Sequence, residues 1–230
     1  SKRPRRHGLE NTISSGDMLE AALTAGLCSM GAKVIPLGVV PTPAVAYLTR
    51  YYKADAGVVI SASHNPCEYN GIKFFNSDGY KLSDGIENEI ESYILGEKAI
   101  EELPTHGKVG YVSANHNAVE DYVAFAVSTI DSRLDGMKIA VDCANGASYE
   151  TAFKALNKLG ANVEAIHNTP DGVNINHMCG STHMESLQAY VTSIGADIGI
   201  AFDGDADRML AVDENGKLID GDQIMAACAK

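Results

Sequence analysis

The chain of 230 residues has no tryptophan, no CxxC pair and no apolar run near the length of a membrane span. Without a spanning run or a signal-peptide pattern, neither a membrane protein nor a secreted one is expected. Basic residues are also scarce. Eighteen Lys and Arg stand against thirty Asp and Glu, for a net charge of −12. Such a chain is a poor general binder of nucleic acid or anionic membrane. An anionic substrate would need local help from a cation or from placed Lys and Arg. The five cysteines are odd in number and widely spaced, which fits reduced thiols in a cytoplasmic protein. What remains is ordinary for a globular protein: 45% hydrophobic and 21% charged residues. The length suits one large domain or two ordinary ones with a real core.

The basic opening run SKRPRRHG has no periodicity and reads as an unstructured arm. After it the pattern becomes regular. Ser14, Ser15 and Asp17 can cap a helix carrying Met18, Leu19, Ala22, Leu23 and Leu27, ended by Gly31. A strand over 33–37, a helix opened by Pro43 and an apolar strand over 56–60 follow. Residues 72–75 and 80–82 read as a hairpin around Asn76–Gly79. Helices are expected over 84–95 and 117–130. Asp131–Gly136 is the expected boundary, giving domains of 1–133 and 134–230. The second repeats the alternation: strands near 138–141, 163–166 and 197–202, with helices between. Thr182 and Glu185 have capping-box spacing, and Asn215-Gly216 marks another hairpin. The chain stops inside a helix that starts near Asp220, as a piece of something longer would. Strands alternating with helices give α/β layers.

Two stretches carry chemistry. In VVISASHNP, an apolar strand runs into Ser63 and His64 and is closed by Asn65-Pro66. In IAFDGDADRML, another apolar strand runs into Asp203, Asp205, Asp207 and Arg208. Three carboxylates this close repel one another unless a cation sits among them. Oxygen donors imply a hard ion, and Mg²⁺ suits a site completed by water or a phosphate oxygen. Other readings stay open for the acidic run. An EF-hand loop would use Asp203, Asp205, Asp207 and Glu214, but Arg208 stands where that loop needs Gly. A haloacid-dehalogenase-type phosphatase would use Asp203 as nucleophile, and a solvated acidic turn would do nothing. Ser63 alone could simply cap a turn, and GxSxG is absent. Two strand-end clusters on one chain point further, because ligands in α/β folds gather outside the carboxyl ends of strands. A serine hydroxyl beside a carboxylate-bound Mg²⁺ suggests phosphoryl transfer through phosphoserine.

SASHNP with NGIKFF, and DGDADR after a strand, resemble the α-D-phosphohexomutase superfamily. VVPTPAVAYLTR, DCANGAS, PDGVNIN and CGSTH are similar to its phosphoglucosamine mutase branch, and the resemblance runs from Gly16 onward. It implies two consecutive three-layer α/β domains with mixed sheets, the first of four domains and most of the second. It implies that Ser63 carries the phosphoryl group, that Asp203, Asp205 and Asp207 hold Mg²⁺ together with it, and that Arg208 sits against the phosphate. Lys73 would be general acid or base, with His64 in support. Burial and the cation would have to lower the Lys73 pKa for that role. The substrate would be a phosphorylated hexosamine, glucosamine 6-phosphate giving glucosamine 1-phosphate, with glucose or mannose phosphates as the alternative. A homodimer is implied as well. The opening GTDGxRG-like stretch of that family is absent, and Asn11–Gly16 lacks the arginine of its DTRxSG-like segment. Met178 replaces an expected asparagine. The loops that bind sugar and its phosphate belong to domains three and four, so this chain alone is not expected to turn over. His177, Cys179 and His183 have a zinc-like spacing, but a loop-and-cap role fits them better.

Overall fold

The computed structural model describes residues 12–100, 102–114 and 117–229. The basic opening run lies outside them.

In the carboxyl-terminal part, β5 (Lys138–Asp142), β6 (Asn162–Ile166), β7 (Ile198–Phe202), β8 (Met209–Asp213) and β9 (Leu218–Ile219) form one sheet in the order β6-β5-β7-β8-β9. The first three strands are parallel and the last two antiparallel, so the sheet is mixed. Alternation along β5 and β7 decides which helix each residue meets. Ile139, Val141, Ile198 and Ile200 face α5 (Ser148–Lys158), where Ala152 and Leu156 wait. Ala140 and Ala201 face Leu187 and Val191 of α6 (Glu185–Ile194). Gly199 allows that close approach, since a Cβ there would lie 2.6 Å from Val191 Cγ2. These are the expected three layers.

The amino-terminal part holds two smaller sheets. β1 (Lys33–Val34) pairs parallel with β4 (Tyr111–Val112), and β2 (Ala56–Ser61) pairs antiparallel with β3 (Gly71–Asn76). The apolar side of α2 (Thr42–Tyr51) buries Ala44, Val45 and Leu48 against Val59 and Phe75. Leu48 is fully buried, worth about 1.5–3 kcal/mol. α4 (Ala118–Ser128) packs both ways. Ala118 and Tyr122 join that core, while Glu120 pairs with Lys154 and Lys158 of α5.

Several expectations change. The turn at Asn76–Gly79 exists, with Gly79 at φ +77°, but the hairpin shrinks to one bridge between Phe75 and Lys81. β3 pairs with β2 instead, which makes the SASHNP stretch the connection between those strands. α1 (Gly16–Ser29) forms as expected, with Met18 and Ala22 of its apolar repeat exposed. No residue of α3 (Asp84–Ile94) is buried. Thr182 lies in a 3₁₀ turn and does not cap α6. The capping box stands at α7 (Gly221–Cys228), between Asp220 and Gln223.

Candidate phosphoryl-transfer and metal site

Ser63 follows the end of β2 and has φ +55°, left-handed for a residue with a Cβ. Such a conformation costs about 1–3 kcal/mol and persists where the surroundings hold it. Its N–H donates to Ser61 Oγ at 2.8 Å, and Asn65 N–H donates to Ala62 O at 3.0 Å. The acidic loop joins β7 to β8. Asp203 and Asp205 are buried, and Ala206 turns the chain at φ +54°. Because strands flank this loop as an antiparallel pair, the helix–loop–helix of an EF-hand is excluded.

The two loops meet. Arg208 Nη2 donates to Ser63 Oγ at 3.2 Å and also to His64 Nδ1, while its Nε donates to Asp203 Oδ2 at 3.0 Å. From β3, Lys73 Nζ donates to Asp205 Oδ2 at 2.6 Å and lies 3.6 Å from Asp207 Oδ2. Every residue read as a site candidate therefore falls in one cluster: Ser63, His64, Lys73, Asp203, Asp205, Asp207 and Arg208.

Two further residues join it. Thr42, at the start of α2, donates its hydroxyl to Asp205 Oδ2 at 2.8 Å and its backbone N–H to Asp205 O at 2.9 Å. Asn176 donates its amide to Ser63 O and Asn65 O at 2.9 and 2.8 Å. Thr42 lies between Pro41 and Pro43 in the family-like run VVPTPAVAYLTR, which gives it no role by itself. Asn176 ends the family-like run PDGVNIN, which gives it no role by itself.

Burial, with the charge of Asp205 behind it, pushes the Asp203 pKa up. Burial acts on Asp205 too, but the hydrogen bonds from Lys73 and Thr42 outweigh it and hold that carboxyl below its usual range. Lys73 is pulled both ways by its surroundings. Burial lowers its pKa, yet the hydrogen bond and charge of Asp205, followed by Asp207, raise it overall.

Carboxylate oxygens of Asp203, Asp205 and Asp207 lie within 4.8 Å of one another. Asp205 Oδ2 takes both Thr42 and Lys73, while its Oδ1 is buried without a hydrogen-bond partner. An orphaned buried oxygen costs about 1–3 kcal/mol, and a hard cation would satisfy it. The residues fit Mg²⁺. Both Asp203 oxygens accept from Arg208, Oδ1 from its N–H and Oδ2 from Nε, which does not suit a free aspartyl nucleophile.

The zinc-like trio does not converge among the described residues. Cys179 gathers instead with Asp142 and His167. Asp142 accepts from Ala144 N and Gly180 N and contacts His167 Nδ1, each at 2.9 Å. These contacts brace the turn after β5, and burial pushes the Cys179 thiol up to about 12.

The family models "Phosphoglucomutase/phosphomannomutase, alpha/beta/alpha domain I" and "domain II" match residues 12–101 and 117–216. The second match begins just before α4. A phosphoglucosamine mutase of Acetivibrio thermocellus is 63% identical over 219 residues, 95% of this chain and 49% of that protein. One of Clostridium acetobutylicum is 61% identical over 223 residues, 97% of this chain and 50% of its own. A solved structure of a phosphoglucomutase/phosphomannomutase family protein from Burkholderia thailandensis matches with a TM-score of 0.76 at 28% identity, over 90% of this chain and 46% of that one. The chain spans about half the length of the curated relatives it matches.

Proposed function

Because this chain belongs to the phosphoglucomutase/phosphomannomutase family, we propose that it is the amino-terminal half of a phosphoglucosamine mutase. The whole enzyme would interconvert glucosamine 6-phosphate and glucosamine 1-phosphate in the cytoplasm, as a homodimer by family resemblance. One observation carries the reading: Arg208 joins Ser63 Oγ to Asp203, so the serine and the acidic loop form one site.

Ser63 Oγ is the phosphoryl carrier. In the forward half-reaction, starting from phosphoserine and glucosamine 6-phosphate, the bond from phosphorus to Ser63 Oγ breaks and one to the sugar O1 forms, O1 gives up its proton and Ser63 Oγ takes one up, leaving a 1,6-bisphosphate and free serine. The bisphosphate turns over, and its 6-phosphoryl group passes back to Ser63. Arg208, already within hydrogen-bond distance of Ser63 Oγ, balances phosphate charge. It also contacts His64 Nδ1, which places the imidazole beside Ser63 Oγ. Lys73 faces two carboxylates, Asp205 at 2.6 Å and Asp207 at 3.6 Å, which favour its ammonium form. It therefore enters as a proton donor, and serves as a base only after giving that proton up. Mg²⁺ held by Asp203, Asp205 and Asp207 would offset charge on the transferring phosphoryl group.

Identity above 60% to two phosphoglucosamine mutases supports the glucosamine assignment over glucose or mannose phosphates. Sugar recognition is expected from the other half, so the isolated chain should not turn over. Steady-state kinetics of the full-length parent test the assignment. Preference for glucosamine 6-phosphate is expected, and equal turnover of mannose 6-phosphate would contradict it.

A further inference from the structure

Asn176 does not touch the reacting atoms, yet it grips the loop that carries them. We propose that Asn176 is a positioning residue that fixes Ser63 from the second domain. The proposal deepens, and rests on, the reading of Ser63 as the phosphoryl carrier.

Its amide nitrogen donates to Ser63 O at 2.9 Å and to Asn65 O at 2.8 Å, which uses both N–H bonds. Chemistry sets that orientation. Turned over, the amide would set Oδ1 against two carbonyl oxygens. Asn176 is 7% exposed, and its own N–H donates to Ala144 O at 3.0 Å. The loop before it is braced by Asn145, whose Nδ2 donates to Asn174 O and whose Oδ1 accepts from Thr169 N. Asn176 is thus a rigid donor with φ +57°, a conformation asparagine tolerates better than most residues.

On the other side, Ser63 is left-handed and its N–H is already held by Ser61 Oγ. Its C=O is held by Asn176 across the domains. The strained residue is gripped at both ends, once from each domain, and its Oγ points to Arg208 as a result. Gly204 leaves room for the grip. A Cβ there would lie 2.6 Å from Ser63 O and 2.7 Å from Asn176 Nδ2. Few residues could replace Asn176. Aspartate would aim a carboxylate at two carbonyl oxygens, and glycine would keep the backbone but lose the donor.

The test uses Asn176→Asp, which keeps the shape, and Asn176→Gly, which keeps the left-handed backbone. In the 230-residue chain, residue-resolved amide exchange is measured. The amides of Ser63 and Asn65 should exchange about tenfold faster in either variant, while those of residues 138–142 and 198–202 keep their rates. Should the aspartate variant fail to fold, the glycine variant decides. In the full-length parent, kcat should fall about tenfold to a hundredfold with KM for the sugar phosphate unchanged. Unchanged exchange at Ser63 and Asn65, or a raised KM with kcat kept, would overturn the proposal. A wild-type parent without mutase activity would overturn the proposed function instead, and the exchange rates would still decide the role of Asn176.

Discussion

Lys73 Nζ lies 2.6 Å from Asp205 Oδ2, joining β3 of the first domain to the acidic loop of the second. The pair does two things at once. It keeps Asp205 ionised despite burial, and it leaves the other oxygen, Oδ1, free of any hydrogen bond.

Lys73→Met should therefore destabilise the chain in a pH-dependent way. Removing one partner of a fully buried pair costs about 3–5 kcal/mol. The Lys73 side chain is 36% exposed, so solvent screening brings the expected loss to about 2 kcal/mol. Asp205 has a folded pKa below its unfolded value. Its contribution is present above the unfolded value of about 3.9 and disappears as pH falls through the folded one. Urea denaturation should show a gap between wild type and variant at pH 7 that closes below about pH 4. A gap that persists unchanged at pH 3 would contradict this assignment.

Divalent cation should stabilise the folded chain. At a hundredfold excess over Kd, Mg²⁺ adds about 2.7 kcal/mol, or about 5–10 °C in Tm for a chain of this size. Asp207→Asn should remove most of that shift. Asp207 is the exposed member of the trio, so stability without the ion should change by no more than about 0.5 kcal/mol. Calorimetric scans with and without Mg²⁺ measure both quantities. An undiminished shift in the variant would exclude Asp207 as a ligand.

Gly204→Ala should act as a wedge between the domains. The new methyl group would meet Ser63 O, Asn176 Nδ2 and Ile175 Cδ1, all under 3 Å. A loss of about 1–3 kcal/mol is expected by denaturant unfolding. Unchanged stability would mean that the two loops are not in contact in solution.

Much of this site was readable in the chain, and the unread part has a common cause. Ser63 and Asp203 stand out because each closes an apolar β-run with polar residues, a local and one-dimensional signal. Thr42 and Asn176 gain no role from the sequence because their partners, Asp205 and the Ser63 and Asn65 carbonyls, are more than 100 residues away. The Asn76–Gly79 turn was legible from its residues, but not that β3 would pair with β2, since register is set by the longer ladder. Met18 and Ala22 of α1 follow helical periodicity and still face solvent. The surroundings of Lys73 are only half legible for a similar reason. The strand predicts its burial, whereas the closeness of two carboxylates is a matter of tertiary geometry.

The central claim is that Ser63 accepts a phosphoryl group beside a cation-binding loop. Its most direct test is phosphopeptide mapping of the full-length parent after incubation with a hexose 1,6-bisphosphate and Mg²⁺, beside a Ser63→Ala control. Acid-stable phosphate on Ser63 that is absent from the control is the expected result. Hydroxylamine-labile phosphate on Asp203, or no phosphate on Ser63, would contradict the account.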